Sequence, residues 1–241
     1  MKTVAVIQAR MGSDRLPGKV LRKIGGKPML EWVVSRTMRS ELIDTVCVAT
    51  TDQPMDHYVA QYCEQRSWDF VRGSETNVLS RFLLAADTYG ADRIVRITSD
   101  CPFIDPAIVD ETIELLDRNP TWDYACNFLP VRHFPRGLDV EVFHVRALRE
   151  LNRIATNPAH REHVTLGFYE KPNQFRVGGN TAGIDLSNHR WTVDTYEDLA
   201  LANEIAAHFP AQDFGWHQIL DVVERHPKIS QINVHVNQKA A

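Results

Sequence analysis

Residues 4–21 read V-A-V-I-Q-A-R-M-G-S-D-R-L-P-G-K-V-L. Val4 to Ile7 is an apolar run of strand length with a β-branched bias. It breaks into a loop that holds Gly12, Ser13, Pro17 and Gly18 and three cations, Arg10, Arg15 and Lys19. A buried strand that empties into a cationic, glycine-containing loop is how α/β sheets build anion sites. Glycine lets backbone N–H groups approach an anion, and ligands bind at the carboxyl ends of the strands. A nucleoside triphosphate carries about four negative charges and one Mg²⁺ cancels two, so three cations can cover the remainder. The other reading of the loop is a solvated turn with scattered charges. It is not a Walker A sequence, because five residues separate Gly12 from Gly18 and Val20 follows Lys19. It is not G-x-G-x-x-G either.

Composition narrows the class. The chain has 241 residues, 44% hydrophobic and 24% charged, which is ordinary globular composition and enough for one large α/β core. The formal charge of −4 implies no basic face, so nucleic acid is not an expected partner. Cys47, Cys63, Cys101 and Cys126 form no C-x-x-C pair and read as reduced thiols of a cytoplasmic protein. No apolar run approaches the roughly 18 residues of a membrane helix, and the amino-terminal run reads as a core strand rather than a signal peptide. Gln238 to Ala241 reads as a loose tail.

Along the chain, strand and helix patterns alternate. Helices are expected at 29–38, 55–66 and 78–89, and strands at 45–50, 70–71 and 93–98. That alternation argues for a mostly parallel sheet. Further helices are expected at 106–118, 145–154, from Pro158, after Thr195, and around Phe214 to Val223. Strands are expected at 124–127, at 138–143, and ending at Asp194.

Strand 93–98 runs into Ser99-Asp100-Cys101-Pro102, which sets Asp100 at a strand's carboxyl end beside the cationic loop. A carboxylate there can hold Mg²⁺, an ion that takes oxygen ligands, or it can cap the following helix. Arg96 and Thr98 share one strand face; Arg96 can line a pocket or serve an ion pair. Arg81 can read a base edge or be a surface helix charge. Asp139 and Glu141 share a face and can grip a polar substrate or pair with Arg136 or Arg161. His160 and His163 lie three apart, but no third ligand is evident for zinc. No Ser or Cys sits beside a His/Asp relay, so a covalent nucleophile is not expected.

Three strings, at residues 7–21, 93–106 and 190–199, resemble the signatures of sugar cytidylyltransferases, nearest the spore-coat-polysaccharide type and related to CMP-sialate and CMP-Kdo synthetases. The likeness covers nearly the whole chain. It implies a three-layer α/β/α nucleotide-diphosphosugar-transferase fold, Rossmann-like and GT-A-like. One domain would span 1–241, with an acceptor and dimerisation arm inserted at about 130–185. The implied reaction is Mg²⁺-dependent: a hydroxyl of an acidic sugar attacks the α-phosphorus of CTP in line, and pyrophosphate leaves.

By the same resemblance Arg10, Ser13, Arg15 and Lys19 are phosphate ligands, and Arg10, Arg15 and Lys19 the catalytic cations. Gln8, Ala9, Gly12 and Thr98 belong to the nucleotide pocket, and Gly73, Ser74 and Arg81 to the base. Asp100 and Asp194 hold the metal. Arg136, Asp139, Glu141 and Arg161 face the acceptor. The family usually places an acid before the base-reading arginine; Ser80 stands there in this chain. A homodimer in the cytoplasm is implied. Competing classes are a nucleotidyltransferase with another base or a phosphonate acceptor, a related glycosyltransferase, and a non-catalytic nucleotide-binding module. A glycosyltransferase usually carries Asp-x-Asp, which the chain lacks; Asp139-Val140-Glu141 is the nearest approach.

Overall fold

Val4 to Ile7 has no exposed surface, because its strand lies in the middle of a sheet covered on both faces. The computed structural model describes residues 1–181, 183–211 and 213–238. In chain order the elements are β1 (Thr3–Gln8), a hairpin of β2 (Lys23–Ile24) and β3 (Lys27–Pro28), α1 (Met29–Thr37), β4 (Thr45–Thr51), α2 (His57–Gln65), β5 (Asp69–Gly73), α3 (Val78–Tyr89), β6 (Arg93–Thr98) and α4 (Pro106–Arg118). There follow β7 (Tyr124–Cys126), β8 (Glu141–His144), α5 (Val145–Ile154), α6 (Pro158–Glu162), α7 (Leu166–Glu170), β9 (Val177–Gly179), α8 (Tyr196–Ala207), α9 (Trp216–Arg225) and α10 (Pro227–Gln231).

The main sheet has the order β5-β4-β1-β6-β8-β7-β9. β5, β4, β1 and β6 are mutually parallel, and β8 runs antiparallel to both β6 and β7. The chain builds outward from β1 to β4 and β5, then returns to lay β6 on the other side of β1. That reversal of strand order opens a crevice at the carboxyl ends of β1 and β6. One sheet face carries Ala5, Ile7, Val95 and Ile97 against α1, α4, α8 and α9. The other carries Val4, Val6, Cys47 and Ala49 against α3, α5 and α7. The three layers are those expected, and all four cysteines are free and buried.

Several local expectations are corrected. The helix expected at 55–66 opens as a 3-10 turn, Pro54–Asp56, which turns the Asp56 carboxylate inward. The strand expected at 138–143 begins only at Glu141. Upstream, the Asn127 side chain takes over the backbone groups, donating to the Leu138 carbonyl at 2.7 Å and accepting from Val140 N–H at 2.9 Å. No strand ends at Asp194. Residues 191–194 are tied instead by Trp191 N–H to the Arg136 carbonyl (2.7 Å) and Val193 N–H to the Asp100 carbonyl (2.8 Å). Within 130–185 lie β8 and β9 of the main sheet. Of the expected tail, Gln238 accepts from Arg190 at 2.5 Å, and 239–241 lie outside the described residues. No helix of the described residues is long and apolar enough to cross a membrane.

Gly137 is where the 191–194 segment crosses closest. Its φ is +104°, and a Cβ there would come within 2.5 Å of Thr192 N and 2.7 Å of the Trp191 carbonyl carbon. Gly137→Ala is expected to lower unfolding free energy by at least about 2 kcal/mol in urea titration, from positive-φ strain plus the clash. A loss below about 0.5 kcal/mol would show that this crossing does not hold the segment.

Candidate active site

Gln8 of β1 and Thr98 of β6 are register partners, so the loops after both strands leave the sheet side by side. The first loop is held from below. Ala9 N–H donates to the Ala49 carbonyl at 3.1 Å, and Met11 N–H to the Asp56 carboxylate at 2.5 Å. Asp56 also accepts from the Thr51 hydroxyl. Gly18, at φ +67°, turns the chain into a 3-10 turn, Lys19–Leu21, that begins with Lys19. A cleft of about 310 Å³ opens above, lined by Gln8, Ala9, Arg10, Gly12, Ser13, Arg15 and Lys19 from this loop. Val78 and Arg81 of α3, Arg96, Thr98 and Asp100, Glu162 and His163, and Asp194 also line it.

The Lys19 ammonium is the hub of the cleft's charged contacts. It donates to Asp100 at 2.8 Å, to Asp194 at 2.8 Å and to the Val193 carbonyl at 3.0 Å. Two oxygens sharing one nitrogen at those lengths lie no more than about 5.6 Å apart. Burial opposes the charge on Lys19, but the two carboxylates outweigh it and hold its pKa above the ordinary value. Burial likewise opposes the charge on Asp100, yet Lys19 and the Thr98 hydroxyl bring its pKa down to about 2. Arg15 pairs with Asp194 at 3.0 Å, and Arg10 with Glu75 at 3.3 Å on an exposed edge.

Asp194 is positioned by a buried network that sequence reading missed. Arg190 donates to Asp194 at 2.8 Å and to both oxygens of Asp198 at 3.0 Å. Asp198 also accepts from the backbone N–H groups of Asp194 and Thr195 and from the Asn233 side chain. Asp198 is the capping-box partner of Thr195 at the start of α8 and the counter-ion of Arg190. The available signal was Arg190 eight residues before Asp198, either side of the Trp191–Asp194 crossing.

On the α3 side, Arg81 is 3% exposed, and its Nε and Nη1 have no hydrogen-bond partner among the described residues. Burial, then Arg10, lowers its pKa. Ser80 is occupied with the helix start, its hydroxyl donating to the Asn77 carbonyl at 2.7 Å. Arg96 is the ion-pair partner of buried Glu141, which also accepts from Tyr124 Oη at 2.7 Å. Arg96 Nε donates to Gln8 Oε1 at 3.1 Å, so both readings of Arg96 hold: it is paired and it lines the cleft.

Other expected residues stand apart. Gly73 packs against Arg81, whose Cγ would lie 3.2 Å from an added Cβ. Ser74 accepts from Asn77 N–H at 3.0 Å in the turn before α3. Asp139 pairs with Arg132, not with Arg136 or Arg161, and burial raises its pKa. Arg136 lines a second concavity of about 280 Å³ beside Arg190 and Asn233. Arg161 donates to the Ala155 carbonyl at 3.0 Å. His160 pairs with Glu170 at 2.7 Å while His163, past the end of α6, lines the cleft. Among the described residues no group of three or more His, Cys, Asp and Glu could hold a metal ion. The site offers two carboxylates and the Val193 carbonyl around one point.

A family profile described as cytidylyltransferase matches residues 4–240. The chain belongs to the cytidylyltransferase family. The cytidylyltransferase from Leptospira borgpetersenii is 33% identical, with a TM-score of 0.91 over 100% of this chain and 99% of that one. The spore coat polysaccharide biosynthesis protein SpsF of Bacillus subtilis is 34% identical over 80% of this chain and 81% of its own length. A 3-deoxy-manno-octulosonate cytidylyltransferase of Geobacter sulfurreducens is 39% identical over 50% of this chain and 47% of its own. The expected family, fold and enzyme class, a nucleotidyltransferase, are therefore as the sequence strings implied.

Within this cytidylyltransferase, Asp198→Ala removes the buried carboxylate that takes two of Arg190's hydrogen bonds and leaves Asn233 and the Asp194 and Thr195 N–H groups without their acceptor. It is expected to cost about 3–5 kcal/mol of stability in chemical denaturation. A cost under about 1 kcal/mol would mean that water reaches Arg190 and the network does not depend on the pair.

Proposed function

We propose that the chain transfers CMP from CTP to a hydroxyl of an acidic sugar, releasing pyrophosphate, with Mg²⁺ bound between Asp100 and Asp194. The observation that carries this reading is the ammonium of Lys19 bracketed by those two carboxylates. A cation already sits where two hard oxygen donors converge, so the donor set fits a Mg²⁺ that takes its other ligands from phosphate and water. Bound there, Mg²⁺ neutralises charge on the α-phosphate and the leaving pyrophosphate. Arg10, Arg15 and Lys19 take the triphosphate oxygens by charge-assisted hydrogen bonds, with Gly12 and Ser13 at its edge. Catalysis is positioning plus charge neutralisation, as in other phosphoryl-type transfers.

Arg81 supports cytosine as the base. Its two unpartnered buried donors call for acceptors, and cytosine offers O2 and N3. Uracil presents N3–H, a donor, in the same place. Gln8 and Ala9 flank the base and ribose in this reading, with Gly73 and Ser74 shaping the turn before Arg81. On the acceptor side, Glu141 acts through Arg96, which it holds in the cleft, and Asp139 acts through Arg132. Val131, Tyr169 and Ile184 expose apolar surface in the 130–185 segment, which supports its reading as the arm of a cytoplasmic homodimer.

The test is pyrophosphate release across four nucleoside triphosphates and a panel of acidic sugars. CTP is expected to exceed every other nucleotide at least tenfold, with turnover on at least one acidic sugar. Faster release with UTP or GTP would overturn the base assignment. Arg81→Met removes the orphaned donors, so it is expected to leave thermal stability unchanged or raised while weakening CTP binding at least tenfold. Unchanged CTP affinity by calorimetry would remove Arg81 from the base pocket.

A further inference from the structure

The cluster around Lys19 is closed and charge-balanced. An ammonium has three N–H donors, and here Asp100, Asp194 and the Val193 carbonyl take all three. Asp194 additionally carries Arg15 at 3.0 Å and Arg190 at 2.8 Å. Three acids, Asp100, Asp194 and Asp198, thus face three bases, Lys19, Arg15 and Arg190. Thr98 occupies a further oxygen of Asp100 at 2.5 Å. A divalent cation arriving alone meets a filled oxygen cage with no net negative charge to attract it.

A triphosphate changes both conditions. Its oxygens compete for Lys19 and Arg15, which are the two bases of the cluster that belong to the loop. Arg190 is not released, because Asp198 holds it from the buried side. Withdrawal of the two loop cations leaves Asp100 and Asp194 with an empty oxygen cage and an excess of negative charge.

We propose that Lys19 is a built-in stand-in for the divalent cation, occupying the cage of Asp100, Asp194 and Val193 until a triphosphate draws its ammonium away. The nucleotide and the divalent cation then bind with strong positive coupling, and the cation alone does not bind. Linkage makes the effect reciprocal, so the cation strengthens nucleotide binding by the same factor. This rests on the reading of Asp100 and Asp194 as the metal acids. It adds that the chain's own lysine keeps the site shut in the free enzyme.

The test is Mn²⁺ binding to the full chain without nucleotide, followed by electron paramagnetic resonance and by the thermal midpoint. Lys19→Met and Lys19→Gln are each expected to bind Mn²⁺ at least tenfold more tightly than the wild type. Their midpoints are expected to rise with Mn²⁺ while the wild-type midpoint stays fixed, and adding Asp194→Asn to Lys19→Met should abolish the gain. Two lysine variants guard against one that folds poorly. Nucleotide-free wild type binding Mn²⁺ as tightly as Lys19→Met would overturn the proposal, as would variants no tighter than wild type. A second arm adds CTP to the wild type. An Asp194-dependent Mn²⁺ signal there, beside tight nucleotide-free binding, would overturn the stand-in role and leave the metal site standing. Loss of any Asp194-dependent signal in every arm would remove both.

Discussion

The Lys19 ammonium ties together residues 81 and 175 positions away along the chain. Its contact with Asp100 and Asp194 exists only because β1 and β6 are register neighbours and the 191–194 segment crosses the end of β6. Shift β1 by one residue and Gln8 no longer faces Thr98; the two loops part. The local supports are chosen for that crossing. Gly137 admits the 191–194 backbone where no side chain fits, and Val193 N–H and Thr192 Oγ1 both donate to the Asp100 carbonyl. The fold's topology is thereby converted into one electrostatic centre.

Burying charge is expensive unless each charge is partnered. Around this cleft the partnering is almost complete: Lys19 with two aspartates, Arg190 with two, Arg96 with Glu141. Among the described residues that line the cleft Arg81 is the exception, buried with its Nε and Nη1 unpartnered. Native interiors satisfy such groups, so an orphaned guanidinium at a cleft is explained most simply by a ligand that supplies the acceptors. The complete pairs stabilise the charges around the cleft, and the incomplete one is where the proposed function seats the base.

Much of this was legible in the sequence, for physical reasons. The continuous apolar run Val4–Ile7 and the alternation of strand and helix patterns specify a parallel sheet, because burial on both faces leaves a distinct signal. Arg10, Ser13, Arg15, Lys19, Asp100 and Asp194 do come together at one cleft. What stayed hidden depends on side chains meeting across distance. Asn127 replaced a stretch of strand ladder, and no local pattern announces that. Nothing local marks Asp198 as the hub of a buried network, since Arg190 and Asn233 reach it only in three dimensions. Glu141 alternated with apolar neighbours as a strand residue should, but whether it faced solvent or Arg96 depended on the antiparallel pairing of β8 with β6. His160 and His163 shared helical spacing on paper, yet α6 ends at Glu162 and sends them to different surroundings.

The proposed convergence of the cationic loop and the two aspartates on one bridged triphosphate is tested directly by anomalous diffraction from crystals grown with CTP and Mn²⁺. A manganese peak in bonding contact with Asp100, Asp194 and a phosphate oxygen, with Lys19 moved onto phosphate, is the predicted result. A peak bound elsewhere, or CTP seated with its phosphates away from Arg10, Arg15 and Lys19, would contradict it.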